Sequence, residues 1–219
     1  MAVACITIDT EFPDQPARDP LGVADALLEV LATRDVRATF FVVGAWARAY
    51  PDRVRAIADA GHHIGNHSYS HCSLNRMTQP GIVADLLAGH HVLAQLGIDS
   101  RPWFRAPYGE TGDGGAGVDA PAAIKTAGYR HIHWHARGED WRPNASADDI
   151  ADMILGDVAH RWPRPAIILL HSWPDAAARA LELVLDRLDA QGATFLTVAQ
   201  LGVRHAVLGR VREAGRRRR

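Results

Sequence analysis

The chain has 219 residues, 47% of them hydrophobic, and its 24 basic against 25 acidic residues leave a formal net charge of -1. That length and apolar fraction fit one sizeable domain with a full core, taken here as residues 1–210. The balanced charge gives no reason to expect nucleic acid or another polyanion as partner. Residues 216–219 are all arginine, and 211–219 is read as a basic, solvated tail. Cys5 and Cys72, the only cysteines, make no disulfide framework and are read as thiols. No basic leader with an apolar core precedes the first strand. No apolar run approaches the roughly 20 residues of a membrane span. A soluble, cytoplasmic chain is therefore expected, its oligomeric state left open.

In chain order, residues 3–8 form an apolar run that delivers two carboxylates, Asp9 and Glu11, where a strand should end. An amphipathic segment over 20–34 follows. Residues 38–43 then read Ala-Thr-Phe-Phe-Val-Val, a continuous run expected of a parallel strand buried on both faces. A helix over 51–60 leads to a short strand at 63–65 and to His67 and His71. That i, i+4 spacing stacks two imidazoles on one face of a helix, half of a metal site. Next come a helix over 80–96, a strand over 103–105 ending in Arg105, and a glycine-rich stretch over 109–117 directly after Tyr108. Beyond it the alternation continues with a helix over 120–127 and a strand over 131–135, followed by Asp140 and Trp141. A helix over 147–160 precedes a strand over 166–170, which runs into His171 and Trp173; a helix over 175–191 and a strand over 194–196 complete the pattern. Several helices open on Pro or an Asp or Ser cap and close at Gly61, Gly97, Gly128 and Gly192.

Strands alternating with helices from end to end point to a βα-repeating fold and, with strands buried on both faces, to a closed or nearly closed barrel. Active sites of such barrels gather at the carboxyl ends of the strands. Asp9, Glu11, His67, His71, Arg105, Asp140 and His171 all fall at such ends. An oxygen ligand from the first strand beside His67 and His71 would complete a facial His-His-carboxylate set open to water and substrate. Most other histidines are read as structural or exposed, with His135 the one that points towards the same end.

The residues around these points match a known pattern. His67-Ser68-Tyr69-Ser70-His71 fits a His-Ser/Thr-x-x-His metal motif, Arg105-Ala106-Pro107-Tyr108-Gly109 an Arg-x-Pro-Tyr-Gly motif, Asp140-Trp141 the end of Asp-x-x-Asp-Trp, and Leu169-Leu170-His171 a Leu-x-His motif. Residues 38–42 are similar to the Ala-Thr-Phe-Phe segment of the same proteins. Over residues 3 to about 203 the chain thus resembles the polysaccharide deacetylases of carbohydrate esterase family 4, the NodB-homology domain. The resemblance implies a distorted (β/α)7 barrel that hydrolyses the N-acetyl amide of an amino-sugar polymer, oligosaccharide or conjugate. It implies a divalent metal ion, zinc expected and cobalt or nickel the other candidates, bound by His67 and His71. Asp9 would be the base, His171 the acid and the Tyr108 N–H an oxyanion donor, with Arg105 and Asp140 a pair that orients Asp9. Tyr108, Trp141 and Trp173 would contact substrate, Trp141 also positioning His171; Trp103 is a further candidate for stacking on a sugar.

Two departures stand out. Where the family pattern reads Thr-Phe-Asp-Asp-Gly, this chain reads Thr7-Ile8-Asp9-Thr10-Glu11, with a threonine in place of the ligand carboxylate. Glu11, one residue further on and one methylene longer, is assigned as the ligand; the alternative is a two-histidine site completed by water or Asp14. In the fourth motif Arg137 replaces the leading Asp. Two other readings share the fold: a hydrolase of a small cyclic amide or imide, similar to allantoinase, and a catalytically inactive carbohydrate-binding homologue.

Overall fold

The computed structural model describes residues 3–14, 17–111 and 118–202. The arginine tail and residues 112–117 of the glycine-rich stretch lie outside the described residues. Strands β1 (Val3–Thr10), β2 (Thr39–Val42), β3 (His63–Asn66), β4 (Trp103–Phe104), β5 (Arg130–His131), β6 (Ala136–Arg137), β7 (Ala166–His171) and β8 (Thr194–Phe195) alternate with α1 (Pro20–Thr33), α2 (Gly44–Ala49), α3 (Pro51–Asp59), α4 (Gln79–Gln95), α5 (Ala120–Thr126), α6 (Ala147–Arg161) and α7 (Ala177–Asp189). The strands form one sheet in the order β5-β4-β3-β2-β1-β7-β6, with β8 beside the start of β1. Every pairing is parallel. This is the distorted (β/α)7 barrel that the sequence resemblance implies.

The expected strand over 131–135 is broken in two, and the break has a topological cause. β5 pairs with β4 at one edge of the sheet, whereas β6 pairs with β7 at the other. One short stretch of chain therefore spans both open edges, and residues 132–135 cross the gap. His135 serves this crossing: its N–H donates to the Ile167 carbonyl and its Nδ1 accepts from the Ile167 N–H. It belongs to the sheet seam and not to the cleft.

Strand alternation sorts the side chains. Ile6, Ile8, Phe40, Val42, Ile168 and Leu170 join the main core beneath the helices, together with Leu27, Leu31, Leu181 and Val184. The intervening residues of β1, Thr7 and Asp9, turn to the opposite, interior face. Register aligns Asp9 with Phe41 of β2 and His171 of β7, which brings the ends of three strands to one level. Helices α1, α5 and α6 are held at their starts by side-chain caps: Asp19 accepts from the Gly22 N–H, Asp119 from Ala122 and Ser146 from Asp149; each such cap stabilises by about 1 kcal/mol.

Helix α2 has no counterpart in the sequence reading, because six residues are too short to show a helical period. It packs where Gly44 faces Gly89 of α4: a Cβ on Gly44 would stand 2.8 Å from the Gly89 Cα. Among the described residues no helix is long and apolar enough to cross a membrane.

Candidate active site

β1 ends with two carboxylates on one side of the strand, because residues two apart share a face. Thr10, between them, points the other way into a fully buried position where its hydroxyl finds no partner among the described residues. Glu11 meets both histidines: its Oε2 lies 2.7 Å from His71 Nε2 and 3.5 Å from His67 Nε2. Ligand atoms of Glu11, His67 and His71 all fall within 4.8 Å of one another, the one such group among the described residues. Asp14 lines the same cleft but is exposed and outside this cluster.

The histidine pair does not ride on a helix, contrary to the expectation from spacing. Residues 67–71 form a loop in which Ser68 and His71 both take positive φ, 66° and 57°, a conformation incompatible with a helical turn. The loop is built by polar contacts: the His71 N–H donates to Ser68 Oγ, and the Tyr69 and Ser70 N–H groups both donate to Asp85 of α4. Nothing in the sequence marks Asp85, a lone acid in a helix, for this task. The rings end 5.0 Å apart, edge to face.

The surroundings prepare the cluster for a cation. His67 Nδ1 lies 2.8 Å from the Arg105 carbonyl; a carbonyl only accepts, so Nδ1 carries the proton and Nε2 turns its lone pair towards Glu11. Burial alone would push the Glu11 carboxyl up, yet the imidazoles of His67 and His71 beside it and the charge of His171 hold it well below the ordinary carboxylate range. Burial opposes protonation of His71, and Glu11 overrides it, so that imidazole is raised above its usual value. Trp173, 4% exposed, donates its indole N–H to Glu11 Oε1 at 3.2 Å. That contact was not legible in sequence: Trp173, which lines the cleft, steadies the Glu11 carboxylate through its indole N–H. Trp173→Phe is expected to lower metal affinity by about 10- to 100-fold, as loss of an outer-sphere partner does, measured by titration against a chelator.

Beside the cluster stand two ion pairs, arranged otherwise than expected. Arg105 and Asp140 do not pair with each other. Arg105, fully buried, donates from Nη1 to Asp9 Oδ1 at 2.7 Å and from Nε to the Ile132 carbonyl. Its guanidinium carbon lies 4.3 Å from the Phe41 ring centroid. Asp140 instead grips His171 at two points, accepting from its backbone N–H at 2.7 Å and from Nδ1 at 2.8 Å. Each carboxylate thus has its own cation, because Arg105, at the end of β4, reaches past β3 and β2 to Asp9 at the end of β1, while the turn after β6 places Asp140 against the end of β7. Burial works against charge on His171, but Asp140, helped by Glu11 and Asp9, pushes it up to about 10. With Nδ1 so engaged, Nε2 faces the cleft, 4.0 Å from Glu11 Oε1.

Asp9, Glu11, His67, His71 and His171 line a cleft of about 220 Å³ whose rim includes Tyr108, Arg137 and Trp141. Trp141 meets the His171 ring edge-on at 5.4 Å. Tyr108 packs on His71 at 4.9 Å, is 56% exposed and takes φ 59°, a strained backbone state of the kind that collects at functional sites. Trp103 stands away from the cleft, against His63 and Gly202, and offers no sugar platform there.

A chain of this fold, with three imidazoles, three carboxylates and a buried arginine at one end of the barrel, has the makings of a hydrolase centre. The sequence model of the family "Polysaccharide deacetylase" matches residues 4–132, more than half the chain, and the chain belongs to that family. A peptidoglycan-N-acetylglucosamine deacetylase of Bacillus cereus is 30% identical over 197 residues, covering 87% of this chain and 66% of that protein. The chain thus spans about two thirds of that relative's length. Among solved structures, a family 4 carbohydrate esterase from Streptomyces lividans in complex with acetate superposes with a TM-score of 0.73 at 27% identity, covering 89% of this chain and 91% of that one. A family 4 pseudoenzyme from Bacillus anthracis superposes as closely, with a TM-score of 0.74 at 25% identity over 91% of this chain and 64% of that one. Fold and family alone therefore do not decide activity; the side chains do.

Proposed function

We propose that this chain is a metal-dependent deacetylase of N-acetylated amino sugars, in a polymer, oligosaccharide or conjugate. One observation carries the reading: Glu11, His67 and His71 converge within 4.8 Å, with the His67 tautomer set by the Arg105 carbonyl. Two imidazoles and one carboxylate are the donor set of an open catalytic zinc site, and Glu11 Oε2 is buried with no hydrogen bond from a described residue. When bound, the ion supplies Lewis acidity towards an amide carbonyl and towards water.

The protein's own groups do the rest. Asp9, its Oδ1 held by Arg105, keeps Oδ2 towards the cluster, 3.5 Å from His67 Nε2, and takes the proton of the attacking water. Arg105, fully buried, holds that carboxylate in place. The Tyr108 N–H, in its left-handed turn, is the donor towards the developing oxyanion. His171 holds a proton on Nε2 and gives it to the departing amine, while Asp140 fixes its tautomer and orientation. Trp141 walls the cleft and keeps His171 in place.

Metal analysis of the purified protein, with release of free amine from N-acetylglucosamine oligomers, tests this reading. Activity confined to cyclic amides or imides would assign the site to that substrate class instead. Protein purified without metal and inert after metal is supplied would point to an inactive carbohydrate-binding homologue. A pH experiment probes the acid. Asp140 raises the His171 pKa and burial lowers it, so in Asp140→Asn only Glu11 and Asp9 are left to oppose burial and the proton is lost at lower pH. The basic limb of kcat/KM against pH is expected to move down by more than one unit, and the plateau to fall by about 10²- to 10⁴-fold. An unmoved basic limb would remove His171 from the acid role.

A further inference from the structure

We propose that Arg137 is a specificity-determining residue: it selects amino sugars that carry an anionic substituent, a carboxylate or a phosphate, beside the N-acetyl group over their neutral counterparts. The proposal rests on the deacetylase reading and names the substrate class of the same cleft.

Among the described residues Arg137 is the only arginine or lysine lining that cleft, and its side chain is 45% exposed. Its charge is incompletely matched. The acidic group within ion-pair distance is Glu139, at 3.3 Å, and Glu139 is shared with Arg142. Two guanidiniums divide one carboxylate, so each keeps donors free for a ligand. Asp157, the other nearby acid, accepts from the Arg137 backbone N–H at 3.2 Å.

The backbone under Arg137 is firmly set. Arg137 pairs with Leu169 of β7, and Gly138 is pressed so closely on α6 that a Cβ there would stand 2.4 Å from Ile150 Cγ2. Glu139 follows in a left-handed turn, φ 52°, which brings its carboxylate back towards Arg137. The guanidinium stands 5.7 Å from the centroid of Trp141, the ring that also meets His171. A sugar whose acetamide nitrogen faces His171 would pass its neighbouring substituent across Trp141 to this fork. A planar guanidinium binds carboxylate or phosphate through paired hydrogen bonds, and neither a hydroxyl nor an amide repeats that match.

The test compares four probes on the metal-loaded protein: neutral N-acetylglucosamine oligomers, an N-acetylated disaccharide bearing a lactyl carboxylate next to the N-acetyl group, the primary amide of that same carboxylate, and a disaccharide phosphorylated on the hydroxyl next to the N-acetyl group. Wild type is expected to prefer the acid over its amide by about tenfold in kcat/KM, mostly in KM, the size of one partly exposed charged contact. Added salt should shrink that preference. In Arg137→Gln the ratio should fall to near one, and Arg137→Lys should restore part of it. A phosphate preference exceeding that for the carboxylate would support the proposal and name the anion. Equal turnover of acid and amide by wild type would overturn it while leaving the deacetylase reading intact, and a ratio that survives Arg137→Gln would overturn it as well. Should no probe be turned over, the deacetylase reading falls, and calorimetric binding of acid against amide still decides the anion preference: a tenfold difference supports it and equal affinity ends it.

Discussion

Glu11→Ala is expected to leave the protein folded but without its metal. Glu11 is the one carboxylate among the described residues that reaches both imidazoles, at 2.7 and 3.5 Å. Without it two histidines remain, too few protein ligands for an open site of this kind. The loss in affinity should exceed the roughly 100-fold that follows from disturbing an outer-sphere partner, and turnover should vanish with it. The Trp173 indole N–H also loses its acceptor, at a cost of about 1–3 kcal/mol, so the metal-free variant should melt a few degrees below metal-free wild type. Elemental analysis after dialysis, run beside Asp14→Ala, settles the choice between the two acids. Asp14 lines the cleft but is exposed and apart from the cluster, so its alanine variant should keep the ion. Full occupancy in Glu11→Ala, or loss in Asp14→Ala, would assign the third ligand elsewhere.

Asp9→Asn separates the base from the ligand. The variant should keep its metal and lose about 10²- to 10⁴-fold in kcat, the usual worth of a positioned general base. It should also lose stability, because Arg105 is fully buried and Asp9 is the acid that meets it, at 2.7 Å. Removing one member of a buried pair costs about 3–5 kcal/mol, and the asparagine oxygen, which still accepts a hydrogen bond, should keep the loss at or below the lower end. A drop of roughly 5–10 °C in Tm with metal retained is therefore expected. Unchanged turnover would take the base role from Asp9, and loss of the ion would make it a ligand.

Much of this site was legible because strands have a period of two and barrels gather chemistry at one end. Asp9 and Glu11 share a face for that reason, and Thr10 between them cannot. The Asp-x-Glu spelling keeps a carboxylate in reach by side-chain length where the usual second Asp is missing. His67 and His71 were found by their spacing, although the helix invoked to explain it is absent. A loop with two left-handed residues brings the rings together, and its support, Asp85, comes from a helix that lies elsewhere in sequence.

The pairings were less legible than the residues. Arg105 and Asp140 stood out as charges at strand ends, yet nothing local says that Arg105 holds Asp9 while Asp140 holds His171. Those partners are 96 and 31 residues apart, and the choice depends on the order of the strands in the sheet and on how it curls. The split of the strand at 131–135 has the same origin, since its two ends answer to different edges of the sheet.

By itself the sequence determined the alternating β/α order, the buried parallel strands and the polar residues at their ends, because hydrophobic periodicity and capping act over a few residues. Tertiary structure alone decided sheet order, the open seam between β5 and β6, the partners of each buried charge and the turning of Trp173 onto Glu11. Those contacts join residues far apart in the chain, and their energies depend on burial and register that no local pattern contains.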